Sequence, residues 1–398
     1  MLHYRTQGFN GCAVKYSPFF DNRLAVASAA NFGLVGNGRL YVLELTANGI
    51  VPLKLYVRSS SSSNAPGRTD HLCSFAGCSV HYVFASANCR RFHFSFTTQD
   101  SLYDLAWSEI HENQVLAASG DGSIKLYDTT ADDFPIMNWK EHNREVFSVN
   151  WNLVAKDRFC SSSWDGTVRI WTPHRQQSLL TLPTHSCTYS AAFCPHNPEL
   201  ISCVTSDSYV RLFDLRTPAS ASNHLVLQIP NHAAPTAPAI PGQPGIPPAA
   251  AQPAEILTHD WNKYRQTVLA TAGVDRAIRT FDTRAPQQGP LAIMLGHNYA
   301  VKKLAWSPHL SNMLLSASYD MTCRVWNDRS DVPVNGDVDL MRTGPMGPVP
   351  GEEIGRMGRH TEFATGVDWC LFGNEGWCAS VGWDESLYVW DVRGAVTR

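Results

Sequence analysis

The chain has 398 residues, 44% of them apolar and 11% aromatic, with 12 Trp and a formal net charge of -3. So small a charge sets up no global field for nucleic acid or anionic lipid, and neither is expected as a partner. No stretch approaches the about 18 uninterrupted apolar residues of a spanning helix, so no direct membrane insertion is expected.

The first residues, MLHYRTQGFNGCAVKY, are polar and mixed, without the form of a secretory leader. The 11 Cys, an odd number, are therefore expected to be reduced thiols in a cytosolic protein. The first structural unit is a degenerate one, running from Ala13 to Pro18, then Arg23 to Ser28, then Arg39 to Leu43. Residues 57–96 follow, opening on Arg58 and a run of serines, and read as an irregular insertion. His71, Cys73, Cys78, His81, Cys89 and His93 in that stretch have spacings that zinc accepts. No second close pair stands at a standard distance, so no metal and no cofactor is expected.

From Trp107 onward a pattern recurs. An Asp is followed six residues later by an aromatic residue at Asp121/Tyr127, Asp165/Trp171, Asp207/Phe213, Asp275/Phe281, Asp320/Trp326 and Asp384/Trp390. In four of these units a His stands 22 to 24 residues upstream of the Asp: His142, His185, His297 and His360. A fixed ladder of this kind means one supersecondary unit used repeatedly. Around Asp165 its content is legible: Val146 to Trp151 alternates as a strand does, and Trp164-Asp165-Gly166 signals a tight turn. Val168 to Ile170 alternates again, and Ser178 to Leu182 supplies a fourth strand. The turn Asp recurs after 44 residues (121 to 165), 42 (to 207), 68 (to 275), 45 (to 320) and 64 (to 384). The two long intervals hold a Pro/Ala-rich segment, 233–253, and a Gly/Pro-rich one, 331–356, both expected to be surface loops. Seven units of four antiparallel strands, closed into a ring, make an all-β seven-bladed β-propeller, a single domain over 1–398.

The repeated polar residues have a structural use. His142, Ser161 or Ser163, Asp165 and Trp171 can form a buried hydrogen-bond chain, with Ser163 assigned to it here. His297, Asp320 and Trp326, and His360, Asp384 and Trp390, are its counterparts. A His/Ser/Asp set can pass for a catalytic triad, but its recurrence marks scaffold, and no enzyme activity is expected.

In its His, turn-Asp and Trp-Asp pattern the chain resembles the WD-repeat proteins. More particularly it resembles the receptors for the type 2 peroxisomal targeting signal, a peroxin family. The resemblance lies in Gly11–Pro18, Asp104–Glu109, Ser119–Leu126, Lys140–Val149, Ala254–Leu257 with Asp260-Trp261, Leu295–Ala300, Tyr319-Asp320, Val325–Asn327 and His360–Phe363. These strings touch essentially all seven units and skip the three insertions. The resemblance implies a cytosolic receptor that shuttles to the peroxisome. It would bind matrix proteins, a thiolase for example, through an N-terminal nonapeptide. That peptide starts with Arg or Lys, continues with Leu, Val or Ile, and has His or Gln near its end. An import co-receptor and docking proteins at the peroxisomal membrane would be its other partners.

A cationic amphipathic helix needs an acidic mouth and an apolar shelf. At the entry to the first strands, on one rim, stand Asp100, Glu145, Glu255 and Glu362, with Glu145 the first choice for the signal's cation. Cys187 and Thr188 occupy that rim in the unit around Asp207, which puts the acidity on units two, three, five and seven. Trp164, Tyr319 and Trp383, just before the turn Asp, are the candidate shelf, with Tyr103 beside them. Trp164 and Trp383 equally suit a cover over the hydrogen-bond chain. Lys302 and Lys303 read as a solvated strand edge. The alternative function is a generic WD-repeat scaffold for another peptide client.

Overall fold

In the computed structural model, residues 1–30, 37–53, 95–131, 134–218, 224–230, 253–330, 347–373 and 375–394 are described. Seven sheets, antiparallel but for one added strand in the fifth, stand around a central channel. Their inner strands are Asn10–Tyr16, Leu102–Trp107, Val146–Trp151, Thr188–Cys194, Ile256–Trp261, Val301–Trp306 and Ala364–Trp369. Each inner strand packs against the next, and the last packs against the first, so the ring is closed. The expected propeller is present.

Closure depends on the N-terminus. Leu2–Arg5 pairs with Ser386–Asp391 as the outer strand of the seventh blade, Leu2 opposite Val389. The sequence reading began the first unit at Ala13 and assigned these residues no place. The three C-terminal strands of this blade give no sign in the sequence that a distant four-residue segment completes the sheet.

Strands buried on both faces do not alternate. Phe159–Ser163, the second strand of blade three, is buried at every position. Its serines are tolerated because each finds a partner: Ser162 Oγ meets Ser148 Oγ at 2.8 Å, and Ser163 Oγ donates to Arg144 O. Between blades, side chains of one inner strand accept the N–H groups that the next leaves bare. Asn150 Oδ1 accepts from Phe193 N at 3.0 Å, Asp260 Oδ2 from Trp306 N at 2.7 Å, and Asp368 Oδ2 from Tyr16 N at 2.9 Å. At these three junctions an N–H of the channel-facing edge is thereby satisfied.

The hydrogen-bond chain exists in blades three, six and seven. His142 Nδ1 lies 2.8 Å from Asp165 Oδ2, its Nε2 lies 2.8 Å from Ser161 Oγ, and Trp171 Nε1 donates to the same Oγ at 2.8 Å. His297, Asp320, Ser316 and Trp326 repeat this, as do His360, Asp384, Ser380 and Trp390. The hub is thus Ser161, and the assignment to Ser163 is corrected. Ser163 sits two residues on, where its Oγ accepts from Asp165 N and caps the turn. His185 does not join: it is exposed, with φ of 59°. Asp207 is held instead by Arg211 Nη2 at 2.5 Å, as Asp121 is by Lys125 and Asp275 by Arg279, each four residues on. Ser202 of blade four is served from the neighbouring blade, by His259 Nε2 and Trp261 Nε1, both at 2.7 Å.

The insertions differ from expectation where they are described. Within 331–356, Val349–Pro350 adds a parallel strand to blade five, and Glu352–Met357 is the outer strand of blade six. The Glu-Glu start reads as loop because its charge is neutralised only in the fold, Glu353 accepting from Arg324 at 2.8 Å. Residues 331–346 lie outside the described residues. So do 57–94, including the Cys/His cluster, and 233–252. Ser95 and Phe96 belong to a strand, Ser95–Thr98, that pairs with the third strand of blade one. The eight described cysteines are unpaired.

Candidate functional site

The first feature of the upper rim is a register irregularity shared by all seven inner strands. Near its start each carries a β-bulge, two residues facing one on the second strand. The extra residues are Cys12, Tyr103, Phe147, Tyr189, Leu257, Lys302 and Thr365. A bulge re-aims the side chain it frees, and here Tyr103, Phe147, Tyr189 and Lys302 meet at the mouth of the channel, while Thr365 stays buried and donates to Gly11 O.

Aromatic residues among them form a continuous shelf. Tyr103 stacks on Phe147 with centroids 4.7 Å apart, and Phe147 stacks on Trp164 at 4.6 Å. Tyr189 meets both Phe147 and Trp164 edge-on. On the far side Tyr319 packs on Phe363 at 4.8 Å, and Phe363 on Trp383 at 5.3 Å. Trp164 therefore belongs to the shelf: its indole nitrogen is buried with no hydrogen-bond partner and takes no part in the chain of His142. Burial, with the nearby Asp100 and Glu145 charges adding to it, pushes the Tyr103 phenol up to about 12. Tyr319 is raised to about 12 as well, by burial first.

The acids surround this shelf in two ranks. Backbone bonds from Gly120, Trp164, Val274 and Trp383 reach Ser101, Glu145, Glu255 and Phe363 in turn, and so mark equivalent positions. Glu145 and Glu255 share one position, while Asp100 and Glu362 each stand one residue earlier. Asp100 caps its own turn, accepting from Ser101 N at 2.7 Å. Glu255 accepts from the Tyr189 hydroxyl at 2.9 Å, which raises that phenol's pKa after burial has done so. Glu145 is half-buried and Glu362 exposed.

Lys302 and Lys303 correct the reading of a solvated edge. Both point into the channel, because the bulge at Lys302 turns the strand's faces. Lys303 Nζ reaches Asp104 Oδ1 of blade two at 3.3 Å. Lys302 Nζ lies 5.5 Å from the Phe147 ring centroid on blade three. Below this bar a cavity of about 220 Å³ continues, lined by Lys15, Asp260, His259 and Asp368 among others. The Lys303–Asp104 pair thus spans the channel next to the aromatic shelf. Sequence reasoning missed Phe147, Tyr189 and Phe363; the signal lay two residues after Glu145, two after Cys187 and one after Glu362. Among the described residues no group of three His, Cys, Asp or Glu is placed to hold a metal.

The WD40 family (WD domain, G-beta repeat) matches residues 134–172, 176–214 and 288–327. Each match begins a few residues before the outer strand of one blade and runs to the end of the third strand of the next. Over 99% of its length the chain is 39% identical to the peroxisomal targeting signal 2 receptor of Saccharomyces cerevisiae, all of which is covered. Identity is 36% to peroxisome biogenesis protein 7 of Arabidopsis thaliana, over 96% of the chain and 95% of that protein. It is 30% to the human peroxisomal targeting signal 2 receptor, over 81% of the chain and 80% of that protein.

Proposed function

The chain belongs to the family of peroxisomal targeting signal 2 receptors, and from that premise we propose that its upper face binds the type 2 signal of matrix proteins. One observation carries this reading: an aromatic shelf at the channel mouth, bordered by Asp100, Glu145, Glu255 and Glu362. Stacked aromatic rings supply rigid apolar contact at low entropic cost, and the acids supply charge for an Arg or Lys at the peptide's start. The two cooperate only for a ligand that is apolar on one side and cationic at one end. An amphipathic helix laid across a groove has that form.

In this reading the receptor carries thiolase-like cargo from the cytosol to the peroxisome, with a co-receptor covering the bound helix and docking proteins receiving the complex. The role is binding, with no covalent step on the client. Fluorescence anisotropy of a labelled type 2 signal peptide against the whole chain, with and without a candidate co-receptor, tests it. Saturable binding that disappears when the peptide's Arg becomes Glu supports the reading. Folded protein that binds neither alone nor with the co-receptor overturns it and leaves the generic scaffold.

A further inference from the structure

Resting on the receptor reading above, we propose that Lys302 is a specificity-determining residue. It excludes positive charge from the part of the bound peptide that lies over the channel mouth, and so fixes the peptide's register.

Four observations lead there. Lys302 is the one charged residue among the seven at the bulges. Its Nζ lies 5.5 Å from the centroid of Phe147, on a blade three places around the ring, so the side chain extends over the shelf. Among the described residues no carboxylate lies within ion-pair distance of it, whereas its neighbour Lys303 is held by Asp104. The acids that attract a cation, Asp100, Glu145, Glu255 and Glu362, all stand at the periphery, on strand entries.

Charge on this face is therefore arranged as a negative border around a positive centre. Burial lowers the pKa of Lys302, in keeping with an ammonium that rests on an aromatic face without a carboxylate partner. A second cation held about 7 Å from it, at the effective dielectric of a protein surface, would lose about tenfold or more in affinity. An apolar or neutral side chain in the same place loses nothing on this account. Rejection of the wrong arrangement complements attraction at the rim, and neither alone defines one register.

The test uses the anisotropy assay with the whole chain and a series of signal peptides. Each keeps the initial Arg and places a single Lys, or a Gln as neutral control, at one interior position. For wild type, at least one interior Lys is expected to weaken binding about tenfold beyond its Gln control. Lys302→Met should shrink that ratio to about threefold or less, while Lys302→Arg keeps it, and added salt should reduce it in wild type. Equal ratios in wild type and Lys302→Met, with thermal melts showing both folded, overturn the proposal. So does a wild-type ratio near one at every position. Failure of the parent peptide to bind folded wild type is a different result, which removes the receptor reading itself and this inference with it.

Discussion

Lys303 of the sixth blade reaches Asp104 of the second across the channel, Nζ to Oδ1 at 3.3 Å. These blades are not neighbours, so the pair ties opposite walls of the ring. Asp104 is nearly buried, with 6% of its side chain exposed, and it also accepts from Val149 N. Removing the cation leaves a carboxylate that water reaches poorly. Lys303→Met should destabilise the fold by about 2 kcal/mol, less than a fully buried pair because Lys303 keeps some water contact. Lys303→Met with Asp104→Asn should recover more than half. Urea midpoints of the four proteins of this cycle check it, and an unchanged midpoint in Lys303→Met refutes it.

The hub of the hydrogen-bond chain gives a second prediction. Ser161 Oγ partners both His142 Nε2 and Trp171 Nε1, all three side chains being buried. Ser161→Ala strands two buried ring nitrogens and should cost about 2–4 kcal/mol. Ser163→Ala removes a turn cap and one bond to Arg144 O, and should cost about 1 kcal/mol. Equal losses in the two variants would return the network to the assignment made from sequence.

Those two serines show where sequence reading stops. The ladder of Asp, His and Trp was legible because its spacing is a covalent count that folding cannot alter. Which of Ser161, Ser162 and Ser163 meets His142 depends on strand register, and all three are buried, so alternation of polar and apolar residues gave no guide. The bulges added a further shift. Phe147 read as one side of an alternating strand, yet the extra residue turns it to the rim, and the same shift sends Lys302 over the shelf instead of into solvent. The acids were placed on the right blades, but Asp100 and Glu362 stand one residue earlier than Glu145 and Glu255. Closure by Leu2–Arg5 was invisible because its partner strand lies at the other end of the chain.

Acid sensitivity should begin above the carboxylate range. Burial depresses the pKa of His259 to about 4, and His297 is lowered by burial as well. An unfolded His takes up its proton near pH 6.5. Between about pH 6.5 and 4 the unfolded chain therefore holds the extra proton, and stability falls as pH falls through that window. The His259 share is on the order of 3 kcal/mol across it. Depressed carboxylates such as Asp121, at about 2, act in a lower window, beginning near pH 4. Urea denaturation from pH 7 to pH 4.5 measures the slope. His259→Gln, which keeps a donor for Ser202, should flatten it, and an identical slope would remove His259 as the cause.

The residue after each turn Asp adopts positive φ whether or not it is glycine. Gly122 and Gly166 do so at 81° and 78°, and Ser208, Arg276, Met321 and Glu385 at 71°, 69°, 65° and 58°. A side chain there costs roughly 1–2 kcal/mol, offset in part by the freedom that glycine has in the unfolded chain. Met321 is partly exposed, so Met321→Gly should raise stability by up to about 1 kcal/mol. Gly166→Ala, with only ordinary contacts around the added Cβ, should lower it by about 1 kcal/mol through backbone strain alone. Thermal melts of both variants decide, and a loss in Met321→Gly would mean that its side chain matters more than its backbone.

Glu145 offers the most direct separation of binding from folding. It is half-buried at the rim beside the Tyr103–Phe147–Trp164 stack, and its backbone carbonyl, not its carboxylate, holds the neighbouring turn through Trp164 N. Reversing its charge therefore leaves the strand pairing intact. Glu145→Lys should keep the melting temperature within a few degrees of wild type, as expected for a partly exposed site outside a network. Binding of the Arg-first signal peptide should weaken by at least about tenfold, because an attraction becomes a repulsion at short range. Glu362→Lys, at an exposed position, should weaken it less, since solvent screens that charge more. A folded Glu145→Lys that binds the peptide as wild type does would take this acid out of the site. Equal losses in both variants would point instead to the summed charge of the rim.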